Sequence, residues 1–436
     1  MDINLSTLVT GREVSLKDML DAREHRQEVQ RMLLSEHHLP VISFTLNIVG
    51  PVKVFPLALR TFHEGIRLIE TQCHAWKIPI IATYSTTSHT GHEYFWAVDG
   101  DVRFIKEHLC LLEDSVALGR LFDIDVIQTD GMKISRTDLG FSTRKCLICN
   151  QEAFVCSRAR THSVKELLEQ ECQIMTNYFA KQHARKLSSL SMQALVYEVS
   201  VTPKPGLVDR NNTGAHQDMD IFTFEASAVS LNHYFEQFAL CGIENGHEPF
   251  SRIFSRLRSL GYMYANHIPY SPDTLLKINR KLVADVLEDF NDVTVENART
   301  NGERLYALYG MKGARGEALS GYHTVLKKAL PVLKHQLDRG LSLNDAGAVT
   351  LLYIMAHSED TNIVNRSSYH SMKKIQALLR ETLNDPEFIN KDPIPYIESL
   401  DREFIKNNIS PGGSADLLAL TFFLYLFENS GLSSIL

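Results

Sequence analysis

The spacing of apolar and polar positions changes character near residue 165. Upstream, stretches of helical period alternate with short β-rich runs; downstream, almost every long segment carries helical spacing. Ser15 followed by Asp18 forms a capping-box pattern and predicts a helix through about Leu34. Val41 to Val49 is rich in β-formers and stops at Gly50-Pro51, which predicts a strand and a turn. Phe55 to Trp76 and Val102 to Glu113 read as helices, and Ile78 to Tyr84, Tyr94 to Val98 and Arg120 to Gln128 as strands. Together they predict an α/β or α+β domain built on a mixed sheet.

From Ser163 to Leu187 the chain is charged and amphipathic, the pattern of a connecting helix. Helical spacing recurs at Met192 to Ser200, Phe222 to Leu240, Leu275 to Phe290, Leu326 to Leu337, Ala346 to His357, His370 to Leu383 and Ala415 to Phe427. An all-α second domain follows, with polar and glycine-rich loops converging on a site. The expected division is 1–165, a linking helix 166–187, and 188–436.

Composition narrows the class. A chain of 436 residues with 44% hydrophobic and 22% charged residues is an ordinary globular protein of more than one core. Forty-five basic against 52 acidic residues leave a net charge of −7, so no global attraction to nucleic acid or an anionic membrane is expected. Met1 to Gly11 lacks a signal-peptide pattern, and the apolar stretch Leu417 to Phe427 is about half of the ~20 residues a spanning helix needs. Seven unevenly spread cysteines point to a reducing cytoplasm rather than a disulfide framework.

Candidate chemistry clusters in a few places. Asp123 and Asp125 are two apart on a strand and share a face, a pair that suits Mg²⁺ and phosphate or simply faces water. Arg120 stands beside them to hold a leaving pyrophosphate. Lys53, after Gly50-Pro51, and the helix positions Arg23, Arg26, Gln27 and Gln30 form a second anion candidate, or a solvated charged face. Cys146, Cys149, Cys156 and His162 carry the donors of a Cys₃His zinc site at an unusual spacing; packed free thiols explain them equally well.

Downstream, Thr202-Pro203-Lys204-Pro205-Gly206-Leu207-Val208-Asp209-Arg210 follows the helix that carries Glu198. His216 and Asp218 come shortly after. Glu198, Asp209, His216 and Asp218 fit metal–triphosphate binding or acid–base work, or an elaborate capping loop. Three further loops carry Gly313, Arg315, Gly316 and Glu317; Asp360 and Asn362; and Ser410, Gly412, Gly413 and Asp416. Four such loops in one helical domain favour a phosphate-rich ligand.

These residues resemble two known families joined end to end. Ala22-Arg23-Glu24-x-Arg26-Gln27, Ser43-Phe44-Thr45 with Gly50-Pro51-x-Lys53, Leu118 to Val126, Ser135-Arg136-x-Asp138 and Arg144-Lys145-Cys146-Leu147-x-Cys149 to Thr161-His162 resemble apo-citrate lyase phosphoribosyl-dephospho-CoA transferases, the CitX family. Glu198 to Asp209, Gly214-Ala215-His216-x-Asp218-Met219, Gly313 to Glu317, Asp360-Thr361-Asn362 and Ser410 to Asp416 resemble triphosphoribosyl-dephospho-CoA synthases, the CitG family. The order is that of the fused CitXG form.

The resemblance implies a nucleotidyltransferase-like first domain and a pentosyltransferase second domain. ATP and 3′-dephospho-CoA would be joined with loss of adenine. The phosphoribosyl-dephospho-CoA would then pass to a serine of the citrate lyase acyl-carrier (gamma) subunit with loss of diphosphate. Asp123 and Asp125 would hold Mg²⁺, with Arg23, Arg26, Lys53, Arg120 and Arg136 on the phosphates. In the second domain Glu198, Asp209 or Asp218 would activate the hydroxyl or hold Mg²⁺, and Lys204, Arg210 and Arg315 would neutralise the triphosphate. Departures stand at Ser367-Ser368, at Val116-Ala117, and after Ala265, where a Gly-x-Asn-Thr-His-Lys-Gly segment of the synthases is missing. They leave room for a second reading in which only the transferase half is active and the helical half is a degenerate synthase. Other readings are a non-catalytic module that docks the carrier, and a metal-dependent ADP-ribose hydrolase in the helical half.

Overall fold

The computed structural model describes residues 5–243, 255–284, 292–385, 388 and 391–432. The chain separates into two compact units, Met1–Phe179 and Ala180–Leu436.

After a short helical turn α1 (Leu5–Leu8), the first unit runs α2 (Leu16–His37), β1 (Val41–Leu46), α3 (Pro56–Ala75), β2 (Ile80–Thr86), β3 (Glu93–Val98), α4 (Val102–Ser115) and β4 (Phe122–Ile127). The capping box closes as its residue types require: Ser15 and Asp18 each bond the other's backbone N–H. Asp101 caps α4 with a single bond, its side chain accepting from Phe104 N–H.

The sheet order is β2-β3-β1-β4, and every neighbouring pair is antiparallel. This corrects the mixed sheet expected from the sequence. The alternation of strand and helix does produce strands of common direction, but β3 lies between β1 and β2, and β1 lies between β3 and β4. The result is the β-α-β-β-α-β split arrangement of ferredoxin-like folds. The strand expected to begin at Arg120 begins at Phe122, behind a 3₁₀ turn over Ala117–Leu121.

Alternation along the strands sorts the two faces of the sheet. Ile42, Phe44, Trp96, Phe122, Ile124 and Val126 pack with Phe62, Ile69, Ile105 and Leu109 of α3 and α4. Gly65 permits that contact, since any Cβ there would strike the Phe44 ring. The opposite face carries Val41, Phe95 and Ile127 against Val29 and Leu33 of α2 at one end. Its other end is polar.

A hairpin-like segment and α5 (Ala153–Ala159) lead into α6 (Val164–Ser200), one continuous helix that covers both the expected connecting helix and the helix expected from Met192. Its first turns pack Cys172, Met175 and Phe179 into the core of the first unit.

Among its described residues the second unit consists of helices and loops with no strand, as the apolar spacing predicts. The order is α7 (Ile221–Ile243), α8 (Ser255–Ala265), α9 (Pro272–Ala284), α10 (Asn301–Tyr309), α11 (Gly313–Leu319), α12 (Leu330–Asp338), α13 (Leu343–His357), α14 (Thr361–Arg366), α15 (Tyr369–Asn384), α16 (Ile394–Lys406) and α17 (Gly412–Asn429). The end of the helix expected to reach Phe290 lies outside the described residues. α13 and α17 form the centre: Leu351, Leu352, Phe422 and Phe427 are fully buried. Among the described residues no helix is long and apolar enough to cross a membrane.

Candidate active sites

In the first unit the polar end of the sheet is a row of three residues, Glu93, Thr45 and Asp123, with Ser43 and Asp125 in the next row. Strand periodicity puts all five side chains on one face, so the two aspartates do lie side by side. Asp125 pairs with Lys133 at 2.5 Å. Among the described residues the Asp123 carboxylate has no hydrogen-bonding partner. α2 covers this face through two contacts: Arg26 binds Glu93 at 2.6 Å, and Gln30 donates to Ser43 Oγ at 3.0 Å. The helix face read from the sequence is thus divided, with Arg26 and Gln30 inward and Arg23 and Gln27 exposed.

Lys53 borders a small pocket with Thr45, Thr90, Gly91 and His92. Its ammonium donates to the Ile48 carbonyl at 2.5 Å, and burial lowers its pKa against the opposing pull of Glu171.

Three arginines gather at the start of β4. Arg136 binds Asp114 at 2.8 Å and approaches Glu113. Arg144 pairs with Glu113 and donates to the Phe122 carbonyl at 2.6 Å. Arg120 donates to the Lys145 carbonyl. Burial pushes the Glu113 carboxyl up, against the pull of Arg144, Lys106 and Arg136. Burial, then Arg144, lowers the Arg120 guanidinium. Such crowding of cations at the start of β4 suits an anion. Glu93, Glu113 and Arg144 were not singled out from the sequence as site residues. Their partners lie 67 and 31 positions away, a separation that local patterns do not record.

The four zinc candidates of the first unit do come together: one ligand atom from each of Cys146, Cys149, Cys156 and His162 lies within 4.8 Å of the others.

In the second unit a cleft of about 780 Å³ opens between α6, α7, α11, α14 and α17. Leu195, Leu231, Phe235 and Phe423 give it an apolar wall, and Gly313, Arg315, Glu317, Asp360, Asn362, Gly413 and Asp416 a polar one. Three of the four glycine-rich or acidic loops therefore meet in one place. Asp360 ties two of them together. One oxygen caps α14 through Asn362 and Ile363 N–H, and the other accepts from Ser414 N–H and Oγ at 2.7 and 2.9 Å. Gly412 packs so near Asn362 that a Cβ would displace its amide.

Asp416 opens into the cleft. Solvent reaches it, yet the cleft walls enclose it; that enclosure, and then the neighbouring Glu198 and Asp360 carboxylates, push it up to about 7. Glu317 accepts from Thr324 Oγ1 with one oxygen, while its buried Oε2 has no partner among the described residues. Arg315 approaches Glu303 at 3.5 Å. Gly316 sits on α11 but does not line the cleft.

The fourth loop stands behind the cleft. Lys204, 2% exposed, places its ammonium 2.5 Å from Glu198 Oε1. Asp209 accepts from Thr202 Oγ1 and from Asn211 and Asn212 N–H, so its oxygens hold the loop's own donors. Gly206 adopts φ +68° and donates to Asp401; an added Cβ would run into the Ile409 carbonyl. Arg210 is exposed and donates to Asn344. His216 lies between Ser410 Oγ at 2.9 Å and Arg366 at 3.1 Å. Because arginine can only donate, Nδ1 accepts and Nε2 carries the proton toward Ser410. Burial and then Arg366 lower the His216 pKa. Asp218 is exposed. Asp401 and Asn344 were missed in the sequence, where nothing marks them as partners of a loop more than 130 positions away.

Comparison with known proteins defines the class: a fusion of two transferases. Residues 14–178 match the family model described as apo-citrate lyase phosphoribosyl-dephospho-CoA transferase, CitX. Residues 184–268 and 269–434 match ATP:dephospho-CoA triphosphoribosyl transferase, CitG. The chain is 30% identical to Protein CitXG of Haemophilus influenzae, over 96% of this chain and 98% of that one. It is also 30% identical to Protein CitXG of Leuconostoc mesenteroides subsp. cremoris, over 95% and 97% of the two chains. A 2-(5''-triphosphoribosyl)-3'-dephosphocoenzyme-A synthase of Haemophilus ducreyi is 32% identical over 63% of this chain and 98% of its own. The chain belongs to the CitXG family. The CitG match breaks between Ile268 and Pro269, next to the position after Ala265 where the synthase segment is missing.

Proposed function

We propose that the protein makes and attaches the prosthetic group of citrate lyase. In the second unit the 2′-hydroxyl oxygen of 3′-dephospho-CoA forms a bond to C1′ of the ATP ribose. The C1′–N bond to adenine breaks with its electron pair staying on the base, which takes up one proton, the equivalent of the one lost by the hydroxyl, and leaves as neutral adenine; the triphosphate is retained. In the first unit the Ser hydroxyl of the lyase's acyl-carrier subunit takes the α-phosphorus of that product and diphosphate leaves.

The observation that carries the reading is the cleft of about 780 Å³ on which Arg315, Glu317, Asp360, Asn362 and Asp416 converge. Asp416, open to that cleft and with its carboxyl pushed up by enclosure and then by Glu198 and Asp360, is suited to accept the hydroxyl proton. The neighbouring acid groups also stabilise positive charge developing at C1′. Arg315 lies on the polar wall for the phosphates, and Leu231, Phe235 and Phe423 offer adenine an apolar surface. Glu317, with its unpartnered Oε2, fits a cation more readily than Asp209 or Asp360, whose oxygens hold loop donors. Lys204 acts through Glu198, holding it behind Asp416.

In the first unit, Asp123 with no partner and Asp125 beside it fit one Mg²⁺. Bound there, Mg²⁺ would neutralise phosphate oxygens during transfer. Arg120, Arg136 and Arg144 stand where the leaving diphosphate needs counter-charge, with Arg26 and Lys53 near Thr45.

Incubation with ATP and 3′-dephospho-CoA tests the first step by release of free adenine. Adding the apo carrier tests the second by its mass increase. The break in the CitG match favours one competing reading, a transferase fused to a degenerate synthase. That reading predicts no adenine, yet full carrier modification when the triphosphoribosyl nucleotide is supplied.

A further inference from the structure

We propose that Cys146, Cys149, Cys156 and His162 bind one structural Zn²⁺, which clamps the segment carrying Arg144 and Lys145 onto the start of β4. The site does not depend on the reaction assigned above; only its consequence for Arg144 and Arg120 does.

The donors are already gathered. Cys149 Sγ lies 3.4 Å from Cys156 Sγ and 3.3 Å from His162 Nε2. A tetrahedral ion with Zn–S near 2.3 Å and Zn–N near 2.0 Å holds neighbouring donors roughly 3.5–3.8 Å apart. A small closure or opening of side chains therefore suffices.

The backbone delivers them by a recognisable route. Lys145 bridges Glu152, Cys146 N–H donates to the Gln151 carbonyl at 2.8 Å, and Ala153 N–H donates to the Arg144 carbonyl at 2.8 Å. That ladder is a tight hairpin with Cys146 and Cys149 toward its tip. Ile148 N–H points at Cys146 Sγ, 3.5 Å away, as suits a thiolate held by its own turn. α5 then supplies Cys156, and Arg160 turns left-handed at φ 48° to bring His162 back.

The segment also needs a fastening. Between residues 141 and 163 only Cys156 is buried, while Ile148, Phe154 and Val155 stand exposed. A stretch of some twenty residues that buries so little apolar surface does not hold a single conformation unaided, and metals serve small coreless modules in this way. Three thiol sulfurs and an imidazole select zinc over harder cations.

The clamp has a purpose. Arg144 directly precedes the hairpin and donates to the Phe122 carbonyl at 2.6 Å, one residue before Asp123. Arg120 donates to the carbonyl of Lys145, the next residue. Binding the ion releases the thiol protons and fixes both arginines beside the aspartate pair.

The test uses the full chain. Elemental analysis after gel filtration without chelator should find about one zinc per chain, and reconstitution with Co²⁺ should give the thiolate charge-transfer and ligand-field bands of a tetrahedral site. Cys149→Ser should lose the metal and those bands. Should that variant fail to fold, His162→Cys decides: four thiolates should retain zinc and change the cobalt spectrum. A reconstituted wild-type chain that binds no zinc overturns the proposal. So does an unaltered cobalt spectrum in His162→Cys, or a chain mass lowered by two hydrogens from a Cys149–Cys156 disulfide.

Discussion

Lys204 Nζ lies 2.5 Å from Glu198 Oε1 and 3.0 Å from the Glu198 backbone carbonyl, with both residues buried. Two charges out of water tolerate the loss of one partner badly, because the survivor keeps the desolvation cost. Lys204→Met should destabilise the second unit by about 3–5 kcal/mol. Adding Glu198→Gln should restore much of the stability but not adenine release. Thermal melts and adenine assays of the two single variants and the double variant measure this. Equal stability of Lys204→Met and wild type would show that the pair is not a folding element.

Asp416 links the cleft to pH. Its pKa is raised to about 7, so a base at this position is mostly protonated at pH 6 and mostly ionised at pH 8. Adenine release under saturating substrate should therefore climb about tenfold per pH unit below 7 and level off above it. Asp416→Asn should lower the rate by about 10²–10⁴-fold and remove that limb of the profile. An Asn variant with the same pH dependence would assign the base elsewhere.

Much of this was legible in the sequence where chemistry is local. The Ser15–Asp18 capping box and the period of Phe55 to Trp76 depend on near neighbours, and both helices form where the pattern puts them, whereas the strand expected from Arg120 starts two residues later, behind a 3₁₀ turn. Strand order was not legible. Nothing in β1 or β2 records that β3 inserts between them, which is why a mixed sheet was expected and an antiparallel one found. In the second unit the glycine-rich loops were visible, but not which of them reach the cleft. Lys204 read as a cation for phosphate, and only its burial against Glu198 gives it a different task.

The aspartate pair predicts a separation of roles. Asp123 has no partner among the described residues, whereas Asp125 is paired with Lys133 at 2.5 Å. Asp123→Asn should cut transfer to the carrier by about 10²-fold or more while leaving adenine release unchanged. Asp125→Asn should cost less at low Mg²⁺ when combined with Lys133→Met, because the lysine then no longer competes for the site. Mass spectrometry of the carrier across a Mg²⁺ titration reads both effects. Normal transfer by Asp123→Asn would remove it from the site.

Glu171 makes the first unit sensitive to pH in its stability. Burial pushes its carboxyl from 4.5 up to about 7, although both oxygens lie within 3.3 Å of Val49 N–H and Lys53 opposes the rise. With the folded pKa above the unfolded one, the stabilisation is present below about 4.5 and is lost as pH rises through about 7. The difference amounts to something on the order of 3 kcal/mol. Both tryptophans, Trp76 and Trp96, belong to the first unit, so their fluorescence follows its unfolding alone. The urea midpoint should fall between pH 5.5 and pH 8, and Glu171→Gln should flatten that fall by keeping the position neutral. A wild-type midpoint that rises over this interval, with Glu171→Gln rising in parallel, would mean that the carboxyl is ionised in the folded state.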